Sequence, residues 1–564
     1  MKFNEMTYAR PDIDKVKEDF EKLLKDFSKA ENAETQLNII NNVNKIRNNV
    51  SSMQTIASIR NSIDSNDKFY DEEMSFFDKV NPEIQEVNTK FYKELINSKF
   101  RPELEKTLGK HIFNIATLEI KTFDKKIMKD LQKENEYVTK YNKLTSSAKI
   151  MFEGKERNLA GMTPFMQNKN REIRKQASIA LWGWFEQNSK ELDEIYDILV
   201  KTRTTIAHKL GYKNFVKLGY DRLGRSDYNT EMVANYRKQI KELIVPLAIE
   251  LRQRQAKRIG IKSLKSYDES FLFNSGNPDP IGNSSEIIQN AKKMYNEMSE
   301  ETKEFFNFML DNNLMDLETK KGKRPGGYCT YIPDYKAPFI FSNFNGTRGD
   351  VDVLTHEAGH AFQSFRSRNY STPEYQFPTL EACEIHSMSM EFIAWPWMKN
   401  FFGENTEKYK FVHLSDSLLF LPYGACVDEF QHFIYENPEA TPKQRKSKWI
   451  ELTKIYMPWR DYDGIKFAEE GGIWQKQLHI YCVPFYYIDY TLAQVCALQF
   501  WKKDRENHEK AWNDYLTLCN AGGSKSFVEL VKLANLKLPF NDGCIAEVIK
   551  PIKQYLDSID DTKM

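Results

Sequence analysis

The sequence lacks the features that mark membrane, secreted and nucleic-acid-binding proteins. No apolar run approaches the roughly 20 residues needed to span a bilayer, and the N-terminal stretch, residues 1–20, has no apolar segment typical of a secretory signal. The charges nearly cancel, with 81 Lys plus Arg against 80 Asp plus Glu. Because a polyanion attracts a basic surface, this balance disfavours nucleic acid. We therefore expect neither a membrane nor a nucleic-acid partner.

Paired-cysteine motifs are absent as well. The seven cysteines are an odd number, and none of them has CxxC or CxC spacing. Such isolated thiols are typical of a reducing compartment, so the sequence predicts a cytoplasmic protein. A chain of 564 residues with 41% hydrophobic content exceeds what one core usually holds. We expect two or more lobes.

The chain divides near residue 150 by pattern. Residues 1–150 are charged and helically periodic, contain little glycine and carry no motif, which predicts an N-terminal helical lobe. Residues 151–564 carry every motif described below. Within them, residues 326–346 predict a β-hairpin, with strands at 328–332 and 337–344. This hairpin either binds an extended peptide at its edge or simply closes the core.

The most informative stretch is DVDVLTHEAGHAFQSFRS, residues 350–367. Successive helical residues turn by about 100°, so His356 and His360 project from one face and can bind a single metal ion. Glu357 lies beside them, where its carboxylate can reach a metal-bound water. Asp350 is the predicted N-cap of this helix. The opposite face carries an apolar stripe of Val351, Leu354, Ala358, Ala361, Phe362 and Phe365.

A second helix, predicted over residues 379–395, offers carboxylates to the same site. A catalytic zinc with two histidines needs a third protein ligand and one open position. Glu384 is the best placed third ligand, while Glu381 and Glu391 are alternatives, with a supporting role for those that do not ligate. His386 points to the opposite side of this helix. A third ligand within the first motif is excluded, because HExxHxxGxxH would require Gly at 363 and His at 366, where Gln363 and Arg366 stand.

Residues 471–494 carry a further cluster of polar aromatic residues. Pro484 can open a helix, on which Tyr486 and Tyr490 share a face and Tyr487 lies one step round. His479 precedes this break. Phenol and imidazole donors suit stabilisation of an oxyanion, whereas most tyrosines of a chain with 28 of them line its cores.

Four stretches together resemble the thimet-oligopeptidase-like zinc metallopeptidases, in particular the bacterial oligoendopeptidase F and Pz-peptidase branch. HEAGHAF at 356–362 resembles the HExGH helix of that family, and EIHSMSME at 384–391 resembles its second helix. HIYCVPFYYIDY at 479–490 resembles its His and Tyr segment, and AGGSKSFVELVKLANL at 521–536 its Gly-rich loop and helix. The similarity covers roughly residues 150 to 550.

The resemblance implies a mainly α fold, in which two helical lobes enclose a deep substrate channel and a small sheet lies beside the HExxH helix. It implies one Zn²⁺ ion bound by His356, His360 and Glu384, with Glu357 as general base. His479 and the tyrosines, first Tyr490 and Tyr486, would contact the substrate or stabilise the oxyanion. The interval from His479 to the tyrosines is one residue shorter than in the thimet enzyme, so Tyr487 stays an alternative.

These features predict a cytoplasmic zinc endopeptidase that cleaves oligopeptides, as a monomer or a small homo-oligomer. Two alternatives remain open at this stage. A helical HExxH zinc carboxypeptidase would use the same ligands but would need a cationic anchor for the C-terminal carboxylate of its substrate. A catalytically silent peptide-binding protein would bind without cleaving, although an intact Glu357 argues against it.

Overall fold

Helices make up most of the chain, and two small sheets complete it. The structure, a computed structural model, describes residues 1–564. None of its helices combines the length and the apolar character that a membrane crossing requires. The mainly helical fold class predicted from the sequence is confirmed.

The chain begins with six helices and a short antiparallel hairpin. Side-chain caps define the first helices, since Asp12, Asn32 and Asp67 each accept a hydrogen bond from a backbone N–H at a helix start. The elements are α1 (Ile13–Lys29), α2 (Ala33–Ile63), α3 (Lys68–Ile96), α4 (Arg101–Leu108), α5 (His111–Thr122), α6 (Met128–Ser146), β1 (Ile150–Phe152) and β2 (Lys155–Arg157).

The N-terminal helices enclose a small core of their own. It contains 15 buried residues, which come from α1 to α5 and their flanks, together with Tyr375 from much later in the chain. The same helices also reach the main core of 118 buried residues, through Ile56 of α2, Phe77 of α3 and Tyr141 of α6. Because they contribute to both cores, the boundary expected near residue 150 stays a prediction.

Seven further helices and a three-stranded sheet follow. A π-helical turn, Ile240–Ile244, joins two of the helices directly before Pro246, where a proline without an N–H removes one helical hydrogen bond. The elements are α7 (Thr163–Met166), α8 (Arg171–Lys209), α9 (Phe215–Arg222), α10 (Thr230–Gln239), α11 (Val245–Arg258), α12 (Ser284–Met298), α13 (Glu300–Asp311), β3 (Met315–Glu318), β4 (Tyr328–Ile332) and β5 (Ala337–Phe344).

The sheet has the strand order β3-β5-β4, with β3 parallel and β4 antiparallel to β5. The central strand β5 is apolar and almost entirely buried, as a strand covered on both faces should be. The hairpin of β4 and β5 was predicted with these bounds, whereas β3 was not. Because β4 pairs only with β5, it is an edge strand of the sheet.

Eleven helices form the remainder of the chain. They include the two helices that carry the HExxH motif and the acidic residues, and the long helix that begins within the tyrosine cluster. The elements are α14 (Gly349–Ser367), α15 (Leu380–Ile393), α16 (Lys399–Phe402), α17 (Thr406–Glu436), α18 (Pro442–Tyr456), α19 (Lys466–Glu469), α20 (Leu478–Cys482), α21 (Tyr487–Glu506), α22 (His508–Ala521), α23 (Phe527–Leu533) and α24 (Cys544–Asp557).

Helices α14 and α15 pack unusually closely, because a glycine lies at their contact. A Cβ atom on Gly359 would lie 2.6 Å from the carbonyl oxygen of His386 and 2.7 Å from the Cα of Ser387. Any side chain at position 359 would therefore push the two helices apart. This close approach brings the histidine face of α14 to the carboxylates of α15.

Candidate active site and metal centre

Helix α14 presents its two histidines to a cleft while its apolar stripe is buried in the main core. The start of the helix differs from the prediction. Asp350 lies inside the helix, which begins at Gly349 with Arg348 as the N-cap residue. The Asp350 carboxylate instead accepts hydrogen bonds from the backbone of Asn345 and Gly346, in the loop that leads from β5. The residue thus fixes the loop and does not cap the helix.

The structure brings His356, His360 and Glu384 together at the cleft. One carboxylate oxygen, Oε2 of Glu384, lies 3.2 Å from Nε2 of His356 and 3.4 Å from Nε2 of His360. Zinc bonds of about 2.0–2.1 Å in a tetrahedral arrangement place neighbouring ligand atoms roughly 3.3 Å apart. The spacing and the donor set of two imidazoles and one carboxylate therefore both fit a zinc ion.

Glu391 holds the first histidine in the orientation that a metal requires. Its Oε1 lies 2.7 Å from Nδ1 of His356, and its Oε2 lies 2.7 Å from Nε2 of His413 on α17. The indole of Trp395 donates to Nδ1 of His413, so the proton of His413 faces Glu391. Burial raises the pKa of Glu391, but the hydrogen bonds from both histidines lower it to about 2. The carboxylate thus accepts the Nδ1–H of His356 and leaves Nε2 free to ligate.

Glu381 and His386 of α15 lie outside this group. Glu381 is fully buried, and neither of its carboxylate oxygens has a hydrogen-bond partner. Burial raises its pKa, which the nearby Arg225 partly offsets. His386 is fully buried on the far side of the helix, as predicted, and burial lowers its pKa to about 4. Of the three glutamates considered as the third ligand, the structure brings only Glu384 to both histidines.

Glu357 is 7% exposed and lies close to the start of the edge strand β4. Its Oε1 would be 3.8 Å from a Cβ atom on Gly327, the residue directly before β4. Burial raises the pKa of Glu357, although the imidazoles of His356 and His360 oppose the shift. A carboxylate with a raised pKa is a stronger base, which suits the transfer of protons near neutral pH.

His479 and the tyrosines face this group from the opposite wall. The hydroxyl of Tyr486 donates to Oε1 of Glu384 at 2.7 Å, whereas the hydroxyl of Tyr490 lies 3.4 Å from Nε2 of His479. Tyr487 contacts His479 through its ring alone. Burial lowers the pKa of His479 to about 4 and raises those of the tyrosines. Neutral imidazole and phenol groups therefore line this wall at neutral pH.

A strained turn positions Tyr486. Pro484 was expected to open a helix, but α21 begins three residues later, at Tyr487. In between, Phe485 adopts a left-handed conformation with φ of 67°, which is unfavourable for a bulky side chain. The surrounding structure holds it there: its N–H donates to Gln431 at 2.9 Å, and Arg225 donates to its carbonyl at 2.6 Å. Backbone strain of this kind is common beside functional sites.

A cavity of about 380 Å³ lies beside the candidate metal ligands, although none of the three lines it. Glu391 and His413 line it on the metal side, and His479, Tyr487 and Tyr490 line it on the other. A second cavity, of about 440 Å³, lies between α2, α3 and the edge strand β4. The sequence analysis did not identify His413, which joins the site through Glu391. No spacing in the sequence could have revealed it, because its partners lie on other helices.

The sequence matches the profile of the peptidase M3 N-terminal domain over residues 3–123 and that of peptidase family M3 over residues 164–548. The chain belongs to peptidase family M3. An oligoendopeptidase F homolog of Borreliella burgdorferi is 25% identical to this M3 peptidase over 413 residues, which is 70% of the chain and 68% of the relative. The oligopeptidase PepF of Bacillus subtilis is 22% identical over 424 residues, which is 71% of the chain and 59% of the relative.

A solved structure of Pz peptidase A with an inhibitor is similar to this M3 peptidase along its whole length. The two sequences are 57% identical, the match covers 100% of both chains, and the TM-score is 0.97. The resemblance stated from the sequence motifs is therefore confirmed, and with it the predicted fold and the peptidase activity.

Proposed function

We propose that this M3 peptidase is a zinc-dependent endopeptidase that hydrolyses short oligopeptides. The observation that carries the proposal is the group of His356, His360 and Glu384 with Glu357 beside it in the same cleft. The names of its relatives, oligoendopeptidase F and oligopeptidase, support the class of substrate.

His356, His360 and Glu384 would hold the single zinc ion and leave one position open, as catalytic zinc sites do. When bound there, zinc supplies Lewis acidity, which lowers the pKa of water and polarises a carbonyl group. Glu391 supports the site from behind by fixing the ring of His356. Its hydrogen bond is of the kind whose loss weakens metal binding by about 10–100-fold.

Glu357 is the proposed general base. Its carboxylate takes the proton of the attacking water and passes it to the leaving amine as the peptide bond breaks. Its position in front of the edge strand β4 supports this role, because a peptide paired with that strand would bring a backbone carbonyl to the carboxylate.

The opposite wall stabilises the negative charge that develops on the former carbonyl oxygen. Tyr490 and His479 are suited to this role, because the hydroxyl of Tyr490 makes no short hydrogen bond within the protein and stays available to the substrate. The hydroxyl of Tyr486 already donates a hydrogen bond to Glu384. It therefore supports a proposed metal ligand, and we place it second to Tyr490 as an oxyanion donor.

We also propose the partners, the oligomeric state and the location of the enzyme. Its partners are oligopeptides, without a nucleic acid or a membrane among them, and it acts as a monomer or a small homo-oligomer. The seven cysteines are all free thiols, which supports a cytoplasmic location.

The test combines one substitution with one set of substrates. Glu357→Gln should retain zinc and lose at least about 1000-fold in kcat, because only the base is removed. Glu300→Gln, at an exposed helix start, is the control. Turnover of a mixed peptide library is followed by mass spectrometry, with and without chelator, using free and C-terminally amidated peptides.

The peptide library separates the proposal from its two alternatives. Internal cleavage of amidated peptides that stops on chelation supports an endopeptidase. A requirement for a free C-terminal carboxylate would point to a carboxypeptidase instead. Chelator-insensitive binding without any product would indicate a peptide-binding protein, and near-normal activity of Glu357→Gln would reject the assignment of the base.

A further inference from the structure

A glutamine that no motif includes contacts His479 directly. Gln477 lies in the turn between the short 3₁₀ helix Ile473–Lys476 and α20. Its side-chain nitrogen Nε2 lies 2.8 Å from Nδ1 of His479. On its other side, the hydroxyl of Tyr423 on α17 donates to Oε1 of Gln477 at 2.8 Å. The three side chains form a hydrogen-bonded row that ends at the cavity of about 380 Å³ lined by His479.

The orientation of the Gln477 amide follows from the hydroxyl of Tyr423. This hydroxyl makes no other hydrogen bond within the protein. Tyr423 is half-buried, and burial raises its pKa. A hydroxyl hydrogen bonds to the acceptor within its reach, and within the protein that acceptor is Oε1 of Gln477. With the oxygen facing Tyr423, the amide nitrogen faces His479 and donates to Nδ1.

A neutral imidazole carries its single proton on the nitrogen that does not accept. Since Nδ1 accepts from Gln477, the proton lies on Nε2, which faces Tyr490 across 3.4 Å. That distance is too long for a strong hydrogen bond. The Nε2–H is therefore free to donate to a substrate oxygen in the cavity.

We infer that Gln477 is a positioning residue, which Tyr423 orients and which fixes the tautomer of His479 so that its Nε2–H points at the substrate. The inference rests on the proposed function, because it assigns His479 a donor role in that reaction. It extends the site by two residues that lie behind His479 and that neither family resemblance nor spacing identified.

The charged and titratable groups around His479 come from several elements. Glu384 and Glu391 lie on α15, His413 and Asp416 on α17, and Arg348 and Asp352 at the start of α14. Three tyrosines complete the surroundings, Tyr486, Tyr487 and Tyr490. Only Gln477 makes a short hydrogen bond to the ring of His479, so a change at position 477 should act on the tautomer directly.

The decisive variant is Gln477→Glu. Its carboxylate only accepts, so the proton of His479 should move to Nδ1 and the donor in the cavity should be lost. We expect kcat to fall by about 100-fold, as for loss of one oxyanion donor, with KM and zinc content little changed. The added charge should also raise the pKa of His479 and add an ionisation to the pH profile of kcat.

Three further variants calibrate this result. Gln477→Leu removes the donor to Nδ1 without putting an acceptor in its place. We expect a smaller fall in kcat, of roughly 10-fold, because both tautomers of His479 then occur. Tyr423→Phe should lower kcat by only a few-fold, since the Gln477 amide stays beside His479 but loses the hydrogen bond that fixes its orientation. Gln253→Glu adds the same charge at an exposed position of α11 and should leave kcat unchanged.

The tautomer is also read without activity. Long-range ¹H–¹⁵N spectra of the zinc-loaded enzyme, labelled at its nine histidines, report which nitrogen of each ring is protonated. The signal of His479 is identified by its disappearance in His479→Gln. A proton on Nε2 in the wild type and on Nδ1 in Gln477→Glu supports the inference. A proton on Nδ1 in the wild type, or an unchanged tautomer and kcat in Gln477→Glu, would overturn it.

The outcomes separate this inference from the proposed function. If Glu357→Gln remains active, the proposed mechanism fails, whatever the spectra show. If Glu357→Gln is inactive while Gln477→Glu keeps the wild-type kcat and tautomer, only the role of Gln477 is rejected.

Discussion

On one side of the active site, the candidate metal ligands lie on two long helices, α14 and α15, whereas on the other side His479 and the tyrosines flank a non-helical turn. The first side depends on helical spacing and on the close contact at Gly359. The second depends on the left-handed Phe485 and on hydrogen bonds with Gln431, Arg225 and Gln477. A helix therefore fixes the spacing of its own side chains, whereas a turn is held in place by residues far away in the sequence.

The largest effect should come from removing the carboxylate of Glu384, the third candidate metal ligand. Glu384→Ala should lose zinc affinity by at least about 1000-fold and lose activity with it, because one of three ligands is gone. Glu391→Gln should lose only about 10–100-fold in affinity, since it supports a ligand from behind. Zinc content per chain and kcat/KM distinguish the two. Full zinc retention in Glu384→Ala would show that another acid ligates.

Loss of a donor from the opposite wall should leave the metal in place. Tyr490→Phe should lower kcat by about 100-fold with zinc content unchanged. Tyr487→Phe is the matched control, because the ring of Tyr487 contacts His479 while its hydroxyl makes no hydrogen bond within the protein. If Tyr486→Phe were the inactive variant and Tyr490→Phe the active one, the oxyanion role would belong to Tyr486.

The close contact between α14 and α15 can be tested by adding one methyl group at Gly359. Gly359→Ala should push α14 and α15 apart, destabilise the fold by about 1–3 kcal/mol and weaken zinc binding by roughly 10-fold. Gly183→Ala on α8 is the control, because a Cβ there meets nothing within 4 Å. It should be neutral or stabilising by up to about 1 kcal/mol. Thermal unfolding and zinc titration measure both, and equal behaviour would contradict the close-packing argument.

The smallest effect concerns pH and stability. Burial lowers the pKa of folded His479 to about 4, below the usual value near 6.5. Between these two values the unfolded chain binds the extra proton, so stability should fall as the pH drops from 6.5 towards 4 and stay level above 6.5. The contribution is at most about 1.4 kcal/mol per pH unit.

Denaturant unfolding of the zinc-free protein between pH 7.5 and 5 measures this slope, without the protons that metal binding itself releases. His479→Gln should flatten the slope relative to the wild type. His208→Gln, at an exposed position, controls for the removal of a histidine. An unchanged slope in His479→Gln would show that this imidazole is not protected from protonation in the folded protein.

The sequence determined the parts of this protein that depend on local repetition. Helical periodicity placed His356 and His360 on one face opposite the buried stripe, and alternation gave the bounds of β4 and β5. Helical periodicity also identified the carboxylates of α15 as possible metal ligands. It left three candidates for the third ligand, because a helical wheel gives the direction of a side chain but not its distance from the histidines.

Tertiary structure alone decided the rest. It brought Glu384 to both histidines, buried Glu381 elsewhere and joined Glu391 to His413. It also determined that α21 begins at Tyr487, three residues after Pro484, and that Tyr423 and Gln477 are hydrogen-bonded in a row to His479. The physical reason is range: periodicity is set by neighbours three or four residues away, whereas these contacts join side chains from separate helices and turns, which meet only after the core has packed.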